Sequence, residues 1–459
     1  MHKKLRPKVW SKIPKERKNR ILRRSQLEIE QYSKTVPRIL KEVREEGDRA
    51  LLRFSKKFEG VQFKKSSELR VKEKEIQTAI RMLSPELKKA LKSAYQNVHN
   101  YHISQTIAKN KPLAENGQGV FIGSSIHPVE SVALYIPRGK GSFPSMAYML
   151  AVPACLAEVP RIVMITPPLP DGSIDPATLY VAELCNISEI YKVGGAHGIA
   201  ALAYGTKSIP AVHKIIGPGS AIVSAAKHFL RSVVDVGPPA GPSESLIIAD
   251  GTTAADLVAY DLCIEAEHGI DSMSLLLTHK KDFAESVSKH LNKIIEQAPS
   301  PQKEILNTVF HTYYGVIVTE NIQESIHISN TIAPEHLLIH SDMPSKIMSK
   351  ISNAGEILLG KHSPFSIANY AAGANAVLPT GGMAKSYSGI SVRDFIKEST
   401  VIQITSRGYE RLAPIVQALA EYEGFYFHKK ALDYRDLRSQ EASTKAINGT
   451  SNATLSTQG

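Results

Sequence analysis

The run "AADLVAYDLCIEAEH" (254–268) ends by placing Glu265 and His268 three residues apart. On a helix, positions i and i+3 share a face, so a carboxylate and an imidazole would point the same way. That pair is half of a four-ligand divalent metal site; the plainer alternative is a solvated Glu beside a capping His. In "TIAPEHLLIH", Glu335 and His336 stand side by side just before a predicted strand. Together they offer two proton carriers, one of them titrating near neutrality, or else a solvated Glu and a structural His. The small residues of "SPFSIANYAAGANAVLPTGG" (363–382), with Asn369 and Asn375, predict a close-packed loop lining a site. Glu423 and His428 lie in the helical, aromatic-rich "LAEYEGFYFHKKAL" (419–432), where a lone His is usually core or surface.

These residues need a frame to bring them together. From about residue 119, short β-branched runs alternate with helical patterns. Strands are predicted at 131–137, 161–166, 189–193, 213–217, 245–250, 274–278, 315–319, 336–341 and 356–360, and helices at 145–159, 196–205, 220–230, 254–268 and 281–297. This alternation predicts parallel sheets covered by helices on both faces. The Pro/Gly segment "DVGPPAGPSES" predicts a crossing near 240 between two α/β units, with ligands at the carboxyl ends of the strands. The stretches "PRGKGSFPS", "VGGAHG" and "IIGPGSA" put Gly at strand-to-helix junctions, where the backbone can approach a phosphate at a helix N-terminus. None fits GxGxxG, and each is also what a tight turn needs. Residues 26–110 read as helical, with Ser84 capping a helix that begins at Pro85. After 390 a helix, a strand and a longer helix carrying Glu423 and His428 are expected.

The chain has 459 residues and a net charge of +12. Residues 1–24 hold eleven Lys or Arg against one acid, a local excess of ten that is nearly the whole imbalance. The segment lacks the apolar core of a secretion signal. It reads as a solvated, partly helical extension rather than a nucleic-acid or acidic-lipid arm, because only Trp10 interrupts it with an aromatic ring. No apolar run is long enough to span a membrane. Cys155, Cys185 and Cys263 are scattered, which favours a reducing cytoplasm over a disulfide framework. The Ser/Thr/Asn/Gly-rich stretch 439–459 is expected to be a disordered tail.

Several of these motifs occur together and in order in one known family. Through "YIPRGKGSFPS", "GGAHGIAALAYGT", "KIIGPGS", "AGPSES", "EAEHGIDS", "APEHL", "AAGANAVLPT", "SVRDFIKESTVI" and "EYEGFYFHKKA", the chain resembles the histidinol dehydrogenases over roughly 26–435. The resemblance implies an α/β fold of two Rossmann-like parallel-sheet domains, with a helical N-terminal domain and a small C-terminal helical piece. The implied layout is a basic arm (1–25), a helical domain (26–110), a first α/β domain (111–132 and 244–389), a second on the NAD side (133–243), a C-terminal domain reaching a partner subunit (390–438) and the tail. It implies a zinc-dependent, NAD-linked oxidation of an amino alcohol through an aldehyde to a carboxylate, by a homodimer with shared sites; Mn2+ is an alternative metal. By position, Glu335 and His336 match the acid–base pair. Glu265, His268, Asn369 and His428 match the metal ligands, with His428 coming from the partner subunit. These four, with Ser145, Ser243, His336 and Glu423, also match substrate contacts. Tyr135, His197 and Ser220 match positions that hold NAD.

Five positions depart from the family. The family has Gln at Glu265 and Asp at Asn369, nearly an exchange that keeps two imidazoles and one carboxylate among the ligands. His197 and Ser220 replace a Gln and an Asn on NAD, and Ala376 replaces the His before "VLPT". Three readings follow: a histidinol dehydrogenase; a paralogue oxidising another polar amino or sulfonated alcohol, as sulfopropanediol-type dehydrogenases do; and a non-catalytic binding protein. None needs nucleic acid or membrane.

Overall fold

The computed structural model describes residues 4–22, 24, 31–106, 110–138 and 141–436. The tail, residues 25–30 of the expected arm and helical run, and residues 139–140 of the first Gly-containing loop lie outside these. Two compact units are resolved, one of Met1–Thr106 and Pro128–Ile396, the other of Ile107–His127 and Lys397–Gly459.

The strands among the described residues are β1 (Lys8–Val9), β2 (Asn110–Glu115), β3 (Val120–Pro128), β4 (Ser131–Tyr135), β5 (Arg161–Thr166), β6 (Glu189–Lys192), β7 (Lys214–Ile216), β8 (Glu244–Ala249), β9 (Met273–Thr278), β10 (Val316–Val318), β11 (His336–His340), β12 (Glu356–Leu359) and β13 (Ile396–Ile404). The first unit holds two parallel sheets, one of six strands in the order β1-β10-β9-β8-β11-β12 and one of four in the order β6-β5-β4-β7. All nine strands predicted from the β-branched runs are present, within a residue or two at each end. So are the five helices predicted between them.

Both sheets are buried on both faces, which is why their strands read as apolar runs rather than alternations. In β8, Leu246 and Ile248 face a core shared with helix Ile322–Ile332. Ile247 and Ala249 face the opposite core, shared with helices Ala255–Ala266, Lys281–Gln297 and Gln302–Tyr313. The four-stranded sheet is covered in the same way. Val132 and Leu134 pack with helices Glu73–Met82, Pro85–Ile103 and Pro144–Leu156. Ala133 and Tyr135 pack with helices Thr35–Glu46, Asp48–Phe54 and Gly195–Tyr204.

Three expectations are revised. The helices between 31 and 106 have no core of their own. The stripe Val36, Ile39, Leu40 and Val43 meets Ile199, Ala200 and Leu202 on one face of the four-stranded sheet, and Ile76, Ala79, Leu91 and Val98 pack on the other, so this module is divided between the sheet's two faces. Segment 111–132, expected in the first α/β domain, instead supplies β2 and β3, which pair with β13 in the three-stranded sheet of the second unit. Only its last two residues enter β4. The N-terminal arm is not a solvated extension. Leu5, Ile13 and Ile21 are buried, β1 adds to the edge strand β10 in the register Lys8↔Ile317, and Arg24 is buried as well. Its charges hid an apolar spacing that satisfies the sheet edge. Ser84 does cap its helix, accepting a hydrogen bond from Leu87 N at 3.2 Å. No helix among the described residues is long and apolar enough to cross a membrane.

Candidate active site

Six-stranded sheet topology brings the candidate residues of the first unit together. Strand β8 begins just after Ser243, and its parallel neighbour β11 begins at His336, in the register His336↔Ser245. Helix Ala255–Ala266 runs back across the sheet from the end of β8, so its last turn returns to the edge where β8 started and carries Glu265 there. His268 follows two residues after the helix ends. Asn369 is on the short helix Phe365–Tyr370. The edge is therefore made of strand amino ends and a helix carboxyl end, not the strand carboxyl ends expected for this sheet. Paired parallel strands that reverse direction only through helices leave both edges available, and here the ligand-type side chains are on the amino edge.

Glu265 is fully buried at 0% exposure. Its Oε1 accepts a hydrogen bond from Asn369 Nδ2 at 2.6 Å. Its Oε2 lies 3.1 Å from His268 Nδ1 and 4.0 Å from His336 Nε2. His268 Nδ1 is also 2.9 Å from Ser243 Oγ. Glu265 Oε2 and Asn369 Oδ1 are both buried and lack any hydrogen-bond partner. Burial alone would raise the Glu265 carboxyl, but His336, His268 and Asn369 hold it down at about 2. Partial burial disfavours a charged His268, and Glu265 outweighs that and raises it. Among the described residues, no three His, Cys, Asp or Glu side chains gather as a metal cluster. The convergence at Glu265 needs the Asn369 amide oxygen as its third donor. Two orphaned oxygens beside an imidazole, at the negative end of a helix dipole, fit a divalent cation.

His336 sits beside this group. Its Nδ1–H donates to Glu356 Oε1 at 2.6 Å, across the β11–β12 register His336↔Glu356. Phe365 packs edge-on against the ring, centroids 5.8 Å apart. These two contacts turn Nε2 toward Glu335 Oε1, 3.7 Å away. Glu335 Oε2 accepts a hydrogen bond from Glu244 N at 2.9 Å. Burial, helped by the negative charge of Glu265, pushes the Glu335 carboxyl up to about 8 against the pull of His336. Burial lowers His336, but the surrounding carboxylates, Glu265 foremost, raise it. Both groups are thus held above their ordinary values within one buried cluster.

Both groups open on a cavity of about 250 Å³, whose far wall comes from the four-stranded sheet: Arg138 after β4, Ser145 at the start of helix Pro144–Leu156, and Ser220 after β7. Here the strands end at the cavity and helices begin. A neighbouring cavity of about 370 Å³ is lined by Glu59, Tyr135, Arg138, Gly195, His197 and Ser220. Helix Ala221–Leu230 begins there without a side-chain cap, leaving backbone N–H groups for an anion, whereas at the start of helix Gly195–Tyr204 Gly194 N donates to Glu59 Oε1 at 2.7 Å. Tyr135 OH accepts a hydrogen bond from Gly195 N at 3.2 Å. His197 is buried, packs on Phe54 and Phe58, and holds Nε2 at 3.5 Å from Glu59 Oε1. His197 Nε2 and Glu59 Oε2 have no hydrogen-bond partner. An uncapped helix start beside buried orphan polar atoms fits a phosphate- and hydroxyl-rich cofactor.

The structure thus gathers Glu265, His268, Asn369, Glu335, His336, Ser145 and Ser243 around one cavity, and Tyr135, His197 and Ser220 around the next. Ala376 lines the first cavity, leaving it without a polar side chain there. Glu423 and His428 belong to the second unit, where both are exposed. Sequence reasoning missed Glu356, Glu59, Phe143 and Phe365. Phe143 meets His268 edge-on, centroids 6.3 Å apart. Only strand register brings Glu356 to His336, and no spacing along the chain announces it.

Known proteins are similar to this chain over nearly its whole length. The family described as histidinol dehydrogenase matches residues 22–436. A histidinol dehydrogenase from Synechocystis sp. is 44% identical over 418 residues, covering 91% of this chain and 96% of that protein. A protein named histidinol dehydrogenase homolog from Colwellia psychrerythraea is 40% identical, covering 92% of this chain and 95% of its own length. The crystal structure of histidinol dehydrogenase from Elizabethkingia anophelis superposes with a TM-score of 0.85 at 34% identity, covering 96% of this chain and 100% of that one. A family match of this extent, with relatives 44% and 34% identical over nearly the whole chain, means that the chain belongs to the histidinol dehydrogenase family of NAD-dependent oxidoreductases.

Proposed function

We propose that this protein oxidises L-histidinol to L-histidine through L-histidinaldehyde, in the cytoplasm, with two NAD and one Zn2+ per site. The observation that carries the reading is the convergence of Glu265, His268 and Asn369, two of their oxygens unpartnered, beside the Glu335–His336 pair in one cavity. Glu265, His268 and Asn369 would hold the metal, completed by His428 of a second copy. Tyr135, His197 and Ser220 would hold NAD. When bound, zinc polarises the amino alcohol and NAD accepts the hydrides. His336, its Nδ1 fixed on Glu356, offers Nε2 to take the hydroxyl proton as the first hydride leaves. Glu335, raised by burial, takes a proton from the water that adds to the aldehyde before the second hydride leaves. Ser145 and Ser243 would orient the substrate, joined by Glu423 of the same second copy that supplies His428. The sum is one alcohol, one water and two NAD+ giving a carboxylate, two NADH and three protons.

The dimer reading is supported by exposed apolar side chains around His428: Leu419, Tyr422, Phe425, Tyr426 and Phe427, with Tyr422 at 92% exposure. Sedimentation of the full chain tests it, a monomer being the result that counts against shared sites. For the activity, purified protein with Zn2+, NAD and L-histidinol is expected to form two NADH per histidine. A second reading, a paralogue for another polar amino or sulfonated alcohol, is favoured by Ala376 in the cavity wall. NADH formation from such alcohols and none from histidinol would select it. Inertness toward both classes, with zinc unbound, would return the protein to a binding role.

A further inference from the structure

Arg24 belongs to the basic N-terminal run, yet it is only 6% exposed. Its guanidinium forms a two-pronged pair with Glu244, itself 3% exposed: Nε donates to Oε1 and Nη2 to Oε2, both at 2.5 Å. Nη1 donates to Ile21 O at 2.8 Å, and Nη2 reaches Ile332 O at 3.4 Å. Gly381 N donates to Glu244 Oε1 at 2.7 Å. Two of these contacts bear on Glu335. Glu244 N is the donor to Glu335 Oε2, at 2.9 Å. Ile332 ends the helix whose next residue, Ala333, takes a left-handed φ of +49° to turn the chain into Pro334 and Glu335. A non-glycine residue held there persists only when its surroundings over-determine it. A planar fork is suited to fixing two segments at once, where a lysine ammonium supplies charge without that geometry.

We propose that Arg24 is a positioning residue for Glu335: it clamps Glu244 and the Ile332 carbonyl so that the Glu335 carboxyl is held on Glu244 N and faces His336. This rests on the acid–base reading of Glu335 above, and assigns the buried member of the basic arm a part in the second oxidation.

The test replaces the pair with apolar residues of similar bulk, Arg24→Met with Glu244→Met. A buried ion pair can often be exchanged this way without loss of stability, and the backbone N–H of residue 244 is kept. With histidinaldehyde as substrate, kcat is expected to fall by up to ~10²-fold, the cost of a small misplacement at the chemistry. KM for the aldehyde and the burst of the first NADH from histidinol should stay as in the parent protein. Arg24→Lys should lose kcat in the same direction, because the ammonium restores charge but not the fork. A double variant with parental kcat on the aldehyde overturns the proposal, and so does one that cannot fold, since the pair would then hold the fold rather than the carboxyl. Glu335→Gln serves as the control. If it oxidises the aldehyde normally, the reading of Glu335 fails; if it is impaired while the double variant is not, Arg24 alone is excluded.

Discussion

The two parallel sheets of the first unit present opposite edges to one shared cavity. The six-stranded sheet offers strand amino ends and the carboxyl end of helix Ala255–Ala266, which is the negative pole of that helix. The four-stranded sheet offers strand carboxyl ends and the starts of helices Pro144–Leu156, Gly195–Tyr204 and Ala221–Leu230, which are positive poles. A carboxylate, imidazoles and an amide on the first edge suit a cation. Helix starts with Gly and Ser on the second suit a phosphate-bearing cofactor. Sheet direction therefore divides the labour before any side chain is considered. The division can be broken from either side.

The largest loss is expected from the proton carriers on the amino edge. His336→Ala removes the Nε2 acceptor and should lower kcat by roughly 10²–10⁴-fold with the fold intact by circular dichroism. Parental turnover in that variant would remove His336 from the chemistry. Next in size is the cation. Glu265→Ala deletes the one carboxylate in the cluster and should weaken Zn2+ binding by at least the ~10–100-fold that an outer-shell partner is worth. Calorimetry on the metal-free protein measures this without turnover, and undiminished affinity would move the metal elsewhere. On the opposite edge the effects should be smaller and of another kind. Ser220→Ala removes one polar contact, worth about 0.5–1.5 kcal/mol, so NAD binding weakens by up to roughly tenfold while zinc binding is unchanged. A change in zinc affinity there would contradict the separation of the two edges.

How much of this was legible depended on the range of the interaction that fixes it. Strands buried on both faces announce themselves as apolar runs, and the helices between them by their period, so both sheets could be read locally. The Glu265–His268 pair was legible because the helix itself sets its spacing. Glu356 was not, because it reaches His336 only through the β11–β12 register. Arg24 was hidden for a related reason. Ten other basic residues surround it in the arm, and only the fold shows which one is buried against Glu244. The choice of sheet edge was misread because the rule for strand carboxyl ends describes helix starts, and the metal-type ligands here collect at a helix end. Segment 111–132 was misassigned because a strand's apolar content does not name its partner, and β3 pairs with β13 from the far end of the chain.

The last effect concerns the positive-pole edge and is a slope rather than a loss. Lys227 is buried on helix Ala221–Leu230, and its Nζ donates to Gly217 O in the loop that leads to Ser220. Gly217 is at φ +133°, and a Cβ there would stand 2.2 Å from Tyr135 O, so the loop is pressed against β4 and the lysine ties it back to the helix. Burial lowers the Lys227 ammonium to about 7. In the unfolded chain a lysine titrates near ~10.4. Between those values the unfolded chain binds the extra proton, so stability rises with pH across that window and is independent of this group below it. The slope from one such group cannot exceed about 1.4 kcal/mol per pH unit. Lys227→Met removes the titration. Unfolding midpoints of parent and variant should therefore run parallel below pH ~7, and the parent should gain on the variant from there to pH ~10. Curves parallel throughout would mean that the amine keeps its proton in the folded protein, and that the edge facing the cofactor carries a buried positive charge in addition to its helix starts.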